Sequence, residues 1–488
     1  MYHEHPLKVL KYSMKNIWLL IFPLIRGFTV LHFNAYDLYV WIKGAWFDLA
    51  VIGAILIFGF VKWHFSTIDI DENAIVHKEG IIIKIKTSIP INNISVATAE
   101  YPMYLMPFNG VRLSCDTRSG FFKNSDMKLL ITKKVCDEIM KYMPDVNTEN
   151  LNKEIEKPDM LSVILFSFLF SSGFSGVVYV ATFFVKGGSI AHDIISASLA
   201  RITETTEMIN SKLLIGIPTA AVAVGVIFIS AWLLSFAMNL LRYSMFHIES
   251  DNSCISVTCG LTNRRVYRIK CPHINYIDLR QNLIMKIAGA VTVNVSCAGF
   301  GSDSQYLPVI FPIKLEKNIS GLEKMGISDR LMPDFRPRLS SWWTYICQPL
   351  ILTAVIFPLR YLSDRFFPQF AELSFFTAVM LEIPCVWLIA VKTAALLTSG
   401  VSVYDGKIVF RCSKINKFHT VIAERNHMIK FEIHQNIFQK ISRKCDIIFW
   451  FCGETHSRFR IKAIYVGDAK KLAEIMEYSL ESKSSRLI

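Results

Sequence analysis

Charge is scarce in this chain. Asp, Glu, Lys and Arg together supply only 19% of its 488 residues, while 52% are hydrophobic, a balance that excludes an ordinary soluble enzyme and implies a membrane protein. Catalytic signatures are also lacking. There is no Walker loop, no dinucleotide glycine fingerprint, no His-Glu-x-x-His and no carboxylate pair at a spacing that demands acid–base work, so no enzymatic activity is expected. None of the 11 cysteines forms a Cys-x-x-Cys pair, which removes the commonest zinc and redox patterns. Tyr2-His3-Glu4-His5 does not set two histidines on one helix face and reads as part of a solvated, basic N-terminal leader. No metal and no cofactor is expected.

What is present is apolar sequence in six segments: residues 17–33, 46–63, 161–185, 213–241, 342–359 and 375–391. Each approaches or exceeds the roughly 17–25 residues that span a bilayer as helix. They come in pairs, so the polar segments between pairs lie on one side of the membrane. The loops inside the pairs, residues 34–45, 186–212 and 360–374, hold equal numbers of basic and acidic residues and no cysteine, which leaves the whole formal charge of +13 on the rest of the chain. Short loops without Lys/Arg excess are the translocated ones. Both termini and the intervening modules are therefore expected to be cytoplasmic, and the cysteine placement is that of a reducing compartment. In the second pair, Ser172 and Gly176, Gly216 and Ala220, and Ala221 and Gly225 stand at the small-residue spacing that lets helices approach closely in lipid.

The polar segments repeat. Residues 269–299 read as two strands about a short crossover: Ile274, Ile277 and Leu279 precede a break at 281–287, and Val291, Val293 and Val295 alternate before Gly299. Residues 89–117 and 421–453 are weaker copies, the last repeating Gln281-Asn282 as Gln435-Asn436 and Lys286-Ile287 as Lys440-Ile441. Cys115, Cys297 and Cys452 recur in the second strand and read as small apolar residues. In module one, strands are expected at 67–70, 74–77 and 81–85, with an amphipathic closing helix at 131–143. Module two is expected to close with a helix at 315–325, and module three with one at 468–480, Asp468 serving as N-cap. The expected organisation is leader and hairpin 1 at 1–63, module 1 at 64–150, hairpin 2 at 160–241, module 2 at 243–333, hairpin 3 at 341–398 and module 3 at 399–482.

A membrane hairpin, a strand pair, Gly260-Leu261-Thr262-x-Arg264-Arg265, then Ile274, Gln281 and Gly289 before alternating valines resembles the bacterial PH-like domain membrane proteins of the YdbS/YdbT type, in their longer three-module form. His5-Pro6-Leu7 ahead of the first span belongs to the same resemblance, which covers nearly the whole chain. Module one keeps Gly80, Ile94 and Gly110 without the Arg pair; module three departs furthest, with Ile415 and Arg443 where glycines are expected. The resemblance implies an α+β membrane protein of six transmembrane helices in three hairpins, each followed by a cytoplasmic PH-like β-barrel with a C-terminal helix.

Such folds host many binding roles. The leading expectation is a multi-pass scaffold in a bacterial plasma membrane whose modules bind a partner membrane protein, one another or the inner leaflet, in envelope maintenance. A smaller one-module paralogue is the first candidate partner. Arg264, Arg265, Arg268 and Lys270 are the densest basic cluster of module two and the candidate contact for lipid phosphates or a partner, at about 1 kcal/mol per well-placed cation. The alternative is a conduit or carrier exporting a toxic amphiphile or envelope component. Nucleic acid is not expected despite a pI near 9.1, because the topology accounts for the charge and no nucleic-acid motif is present. Inside the apolar segments, Arg26 and Glu382 each lie about 13 Å from the inner face at about 1.5 Å per residue and form a candidate intramembrane ion pair.

Overall fold

The computed structural model describes residues 2–13, 46–71, 73–81, 83–117, 125–142, 154–156, 158–170, 219–251, 253–297, 309–315, 333–404, 406–414, 416–451 and 457–484. The expected span 17–33, the third span beyond Phe170, the loop 186–212, Ile415, Cys452, Arg26 and most of the expected helix 315–325 lie outside these residues. The chain divides into two compact units. One comprises Met1–Ile155, Ile248–His273 and Cys297–Asp303; the other comprises Glu156–His247, Ile274–Ser296 and Ser304–Ile488.

In the first unit, Tyr2–His3 (β1), Thr67–Ile70 (β2), Ala74–Glu79 (β3) and Ile85–Pro90 (β4) form an antiparallel sheet in that order. Helix Trp46–His64 (α1) leads into β2. Ile94–Pro102 (β5), Gly110–Thr117 (β6) and Met127–Thr132 (β7) pair in a second sheet, and Lys133–Tyr142 (α2) follows. Alternating apolar positions of both sheets meet: Ile68, Ile75 and Ile89 from the first, Ala97, Leu113, Leu129 and Ile131 from the second, with Val135, Cys136 and Ile139 of α2 completing the core. Each large side chain so buried contributes about 1.5–3 kcal/mol. The second sheet continues past β5 into module two through Asn263–Lys270 (β11), Cys254–Cys259 (β10) and His247–Ser250 (β9), ending on Glu154–Glu156 (β8).

Three expectations are corrected here. The third strand starts at Ile85 rather than Ile81, because Gly80 has φ +108° and a Cβ there would lie 1.9 Å from the Ile83 carbonyl oxygen; the chain folds back tightly and leaves Ile83 77% exposed. Ile131 ends a strand, since the buried alternation of Met127, Leu129 and Ile131 runs on to Thr132, and the helix begins at Lys133. The N-terminus is not solvated. β1 pairs with β2, Glu4 and His5 are buried, Ser66 Oγ donates to Glu4 at 2.6 Å, Lys8 forms an ion pair with Glu4, and Trp63 Nε1 donates to the Glu4 carbonyl at 2.7 Å.

In the second unit, helices Met160–Phe170 (α3) and Thr219–Tyr243 (α4) meet edge to face at Phe166 and Tyr243. Ile274–Gln281 (β12), Ala290–Cys297 (β13) and Val309–Leu315 (β14) join Gly400–Tyr404 (β15), Lys407–Lys414 (β16) and Lys417–Glu424 (β17) in one six-stranded sheet, ordered β14-β13-β12-β17-β16-β15. Met428–His434 (β18), Lys444–Phe451 (β19) and Ser457–Tyr465 (β20) form a three-stranded sheet. Phe410, Val421, Ile447, Phe449 and Leu472 lie in the core enclosed between these sheets. Leu315 thus ends a strand. The closing helix runs Val466–Ser484, with Asp468 inside its first turn, where a carboxylate favours the helix dipole, rather than capping it.

Helices Trp342–Phe366 and Ala371–Thr398 form hairpin 3 and extend well into the expected loop 360–374. Among the described residues two helical stretches are long and apolar enough to cross a membrane, Leu339–Phe366 and Thr377–Thr398. The hairpin is tied to module three at its base: Tyr345 Oη donates to the Lys462 carbonyl at 3.1 Å and Ser341 Oγ to the Ala463 carbonyl at 3.0 Å. Ala463 has φ +56°, and Asp446 Oδ1 accepts its N–H at 2.8 Å.

The repeated crossover keeps its conformation while its residues change. Asn282 caps helix Leu283–Ile287 by accepting from the Met285 N–H, and Asn436 makes a full capping box with Gln439 at Ile437–Ile441. Each turn then passes through the left-handed region at one residue: Asn109 (φ 53°), Gly289 (φ 63°) and Arg443 (φ 52°). Arg443 therefore occupies a glycine's backbone position at a cost of about 1–2 kcal/mol. Arg443→Gly should raise the unfolding midpoint of the detergent-purified chain, by the equivalent of about 0.5–1 kcal/mol. Gly289→Ala, with open space around its Cβ position, should lower it by about 1 kcal/mol.

Candidate functional site

The basic cluster lies on β11, and β11 pairs antiparallel with β5 over Asn263↔Pro102 through Ile269↔Val96. Three of its four cations face the chain itself. Arg265 is buried, with Nε 3.1 Å from Glu100 Oε1. Arg268 Nη1 donates to the Met140 carbonyl at 2.6 Å, on the last turn of α2, where a cation complements the helix dipole. Lys270 Nζ donates to the Ile91 and Asn92 carbonyls, both at 3.0 Å. Only Arg264, opposite Tyr101, is exposed.

The second unit holds an equivalent junction. β12 pairs with β17 over Tyr276↔Ala423 through Gln281↔Phe418. Tyr276 enters the core of module three, its ring 5.7 Å from Phe451 and 5.8 Å from Phe459. Asp278 is 2% exposed; His419 Nδ1 lies 3.0 Å from its Oδ2, and Arg280 Nε donates to the same oxygen at 2.6 Å. Burial pushes the Asp278 carboxyl up, but His419 and Arg280 outweigh it and hold the group below the ordinary carboxylate range. This buried triad is absent from the sequence expectations. Its available signal is alternation, since Tyr276, Asp278 and Arg280 share the strand face opposite Ile277 and Leu279.

The two junctions are in one register. A three-residue 3-10 turn separates the paired halves of each repeat: Ile91–Asn93, Cys271–His273 and Arg425–His427. Counted from these turns, the third residue of the following strand (Val96, Tyr276) faces the penultimate residue of the next repeat's preceding strand (Ile269, Ala423).

Of the other candidate pair, Arg26 and Glu382, only Glu382 is among the described residues. Glu382 lines a cavity of about 570 Å³ on hairpin 3 together with Arg360, Phe375, Val386 and Trp387. Its Oε2 is buried with no hydrogen-bond partner among the described residues, while Arg360 Nε lies 3.5 Å from Asp364 Oδ2. Arg26 is outside the described residues. Among the described residues no group of three His, Cys, Asp or Glu could hold a metal.

Breaking the buried pairs should be costly where trimming the exposed cation is not. Asp278→Asn and Arg265→Ala should each destabilise the full chain by about 3 kcal/mol, and Arg264→Ala by less than about 0.5 kcal/mol, in denaturant titrations. Because folding lowers the Asp278 pKa, its contribution is present above the unfolded value of 3.8 and is lost as pH falls through the folded one. Part of the acid limb of stability should therefore vanish in Asp278→Asn.

The sequence profile of the family described as Bacterial PH domain matches residues 21–143 and 199–322, the first two repeats. The UPF0699 transmembrane protein YdbT of Bacillus subtilis (strain 168) is 22% identical over 288 residues, 53% of this chain and 55% of that protein, so the chain spans about half the length of the curated relative it matches. No solved structure matches. With the two profile segments together covering half of its residues, and with two sheets and a closing helix enclosing the cores of modules one and three, the chain belongs to the bacterial PH domain family.

Proposed function

We propose that this protein is a non-enzymatic multi-pass membrane scaffold, with three hairpins in a bacterial plasma membrane and cytoplasmic PH-like modules that bind a partner membrane protein, supporting envelope maintenance. One observation carries the reading: the chain joins its own repeats by strand pairing, in the same register at both junctions. Main-chain pairing at a sheet edge is a general mode of recognition, and here most of the basic cluster serves it. The cations Arg265, Arg268 and Lys270 satisfy carboxylate and carbonyl groups of module one. That use favours binding between modules over attraction to anionic lipid and leaves Arg264 as the exposed cation of the cluster. The apolar helices of hairpin 3 and the name of the B. subtilis relative support the membrane assignment.

Purification of the full chain from its native membrane in mild detergent should yield a stable complex of fixed stoichiometry with another membrane protein. Vesicles containing the chain alone should be as tight to small amphiphiles as empty ones; selective flux would instead make it a conduit.

The hairpins, in the same reading, are held together by Arg26 and Glu382. The buried carboxylate oxygen of Glu382 in an apolar cavity motivates the pair, because an unpaired intramembrane charge is costly. Arg26→Glu and Glu382→Arg should each lower the yield of folded protein, and the double exchange should restore part of it. If Arg360→Glu combined with Glu382→Arg restores it instead, the partner is Arg360 within hairpin 3.

A further inference from the structure

Two strand edges of the junction type remain without a paired strand among the described residues. β4 ends the sheet β1-β2-β3-β4, and β18 ends the sheet β18-β19-β20. β4 precedes the 3-10 turn Ile91–Asn93 as β11 and β17 precede theirs, and β18 follows Arg425–His427 as β5 and β12 follow theirs. The first is thus an acceptor edge and the second a donor edge.

They are not complementary to each other. On the donor strands, the third, fifth and seventh residues face the acceptor's last alternating positions: Val96, Thr98 and Glu100 on β5, and Tyr276, Asp278 and Arg280 on β12. Internal acceptors match these charges, Arg265 meeting Glu100 and His419 meeting Asp278. β18 carries Lys430, Glu432 and His434 at those places. Lys430 and Glu432 are ion-paired, His434 Nε2 lies 3.2 Å from Glu432, and no residue of the strand is buried. Charges on an edge strand oppose further pairing. β4 presents Ile89, Thr87 and Ile85 instead, an uncharged series with Ile85 51% exposed and Ile83 beside it.

The geometry points to β4 as the docking edge for a donor strand from a separate polypeptide: the first strand of another bacterial-PH core element, uncharged at its third and fifth positions. In the internal register its third residue lies opposite Ile89, its fifth opposite Thr87 and its seventh opposite Ile85. A second copy of this chain is the wrong occupant, because its own free donor would set Lys430 against Ile89 and Glu432 against Thr87. This inference rests on the scaffold reading and names the edge and the chemistry of its partner.

The probe is a fluorescent peptide of β5, Ile94–Pro102, titrated into the detergent-purified full chain, whose internal acceptors β11 and β17 are already paired. The peptide should bind saturably. p-Benzoylphenylalanine at Lys86 should cross-link it at Ala99, the residue opposite in that register. Ile85→Glu with Thr87→Glu, which sets a carboxylate opposite Glu100 of the peptide, should weaken binding at least tenfold while the unfolding midpoint of the chain stays in place. A β18 peptide, Met428–His434, should bind at least tenfold more weakly than the β5 peptide, and exchanging its Lys430 and Glu432 for Val and Thr should recover the difference. Absence of binding, a cross-link out of register, or binding unchanged in the double variant overturns β4 as the acceptor. Equal binding of the β18 peptide overturns the choice of a different protein and makes a second copy the occupant. Should the double substitution unfold the chain, the position of the Lys86 cross-link decides alone. If a membrane partner co-purifies undiminished with the double variant, the scaffold reading stands and the β4 inference falls. If the peptide binds as described and no partner ever co-purifies, the scaffold reading falls.

Discussion

A strand's outer edge leaves a row of N–H and C=O groups that must be paired, covered or left to water, and this constraint organises the protein. Both junctions answer it with the strand of a neighbouring repeat. The answer has side-chain consequences. Once β5 and β11 pair, Arg265 and Glu100 are removed from water and must satisfy each other; once β12 and β17 pair, Asp278 is enclosed and needs both His419 and Arg280. A buried ion pair contributes little net stability but makes the wrong pairing expensive. Slipping either strand by one residue would send these charges to the opposite face, so the ion pairs fix register while the backbone supplies attraction.

Much of this was legible in the amino-acid order. The repeat, the strand–crossover–strand element and the recurrence of Gln281-Asn282 as Gln435-Asn436 follow from periodicity and self-similarity, because those signals are local; that the two asparagines cap short helices shows only in the fold. What escaped was non-local. Ile81 and Ile83 look like strand residues by composition, yet a left-handed Gly80 takes both out of the strand and exposes Ile83. Glu4 and His5 look like a solvated tail, and only the neighbourhood of Ser66, Trp63 and Lys8 makes them interior. The basic cluster was visible as a cluster, but its direction was not: the partners of Arg265 and Arg268 lie far away in sequence, at Glu100 and Met140.

The third crossover separates the two kinds of information. Arg443 holds the left-handed conformation that Gly289 holds in the second repeat, and Asn436 caps its helix as Asn282 does. Backbone geometry has persisted where the residue preference that announces it has gone. A reading based on glycines sees module three as the most divergent. Its fold nonetheless keeps both sheets, the capped crossover and the closing helix, since the core of Phe410, Ile447, Phe449 and Leu472 supplies what the turn no longer specifies.

The clamp at the base of hairpin 3 makes module three mechanically stiff toward the hairpin. Ala463 is gripped from two directions, its carbonyl by Ser341 on the turn that opens the hairpin and its N–H by Asp446 on β19, and Tyr345 holds the adjoining carbonyl of Lys462 one turn further along the helix. Two successive carbonyls anchored to one helix entrance resist torsion as well as separation. A tilt of the first helix of the hairpin is therefore transmitted as torque to β20, and the sheet β18-β19-β20 moves with that helix as a lever rather than hanging from it as a tethered weight.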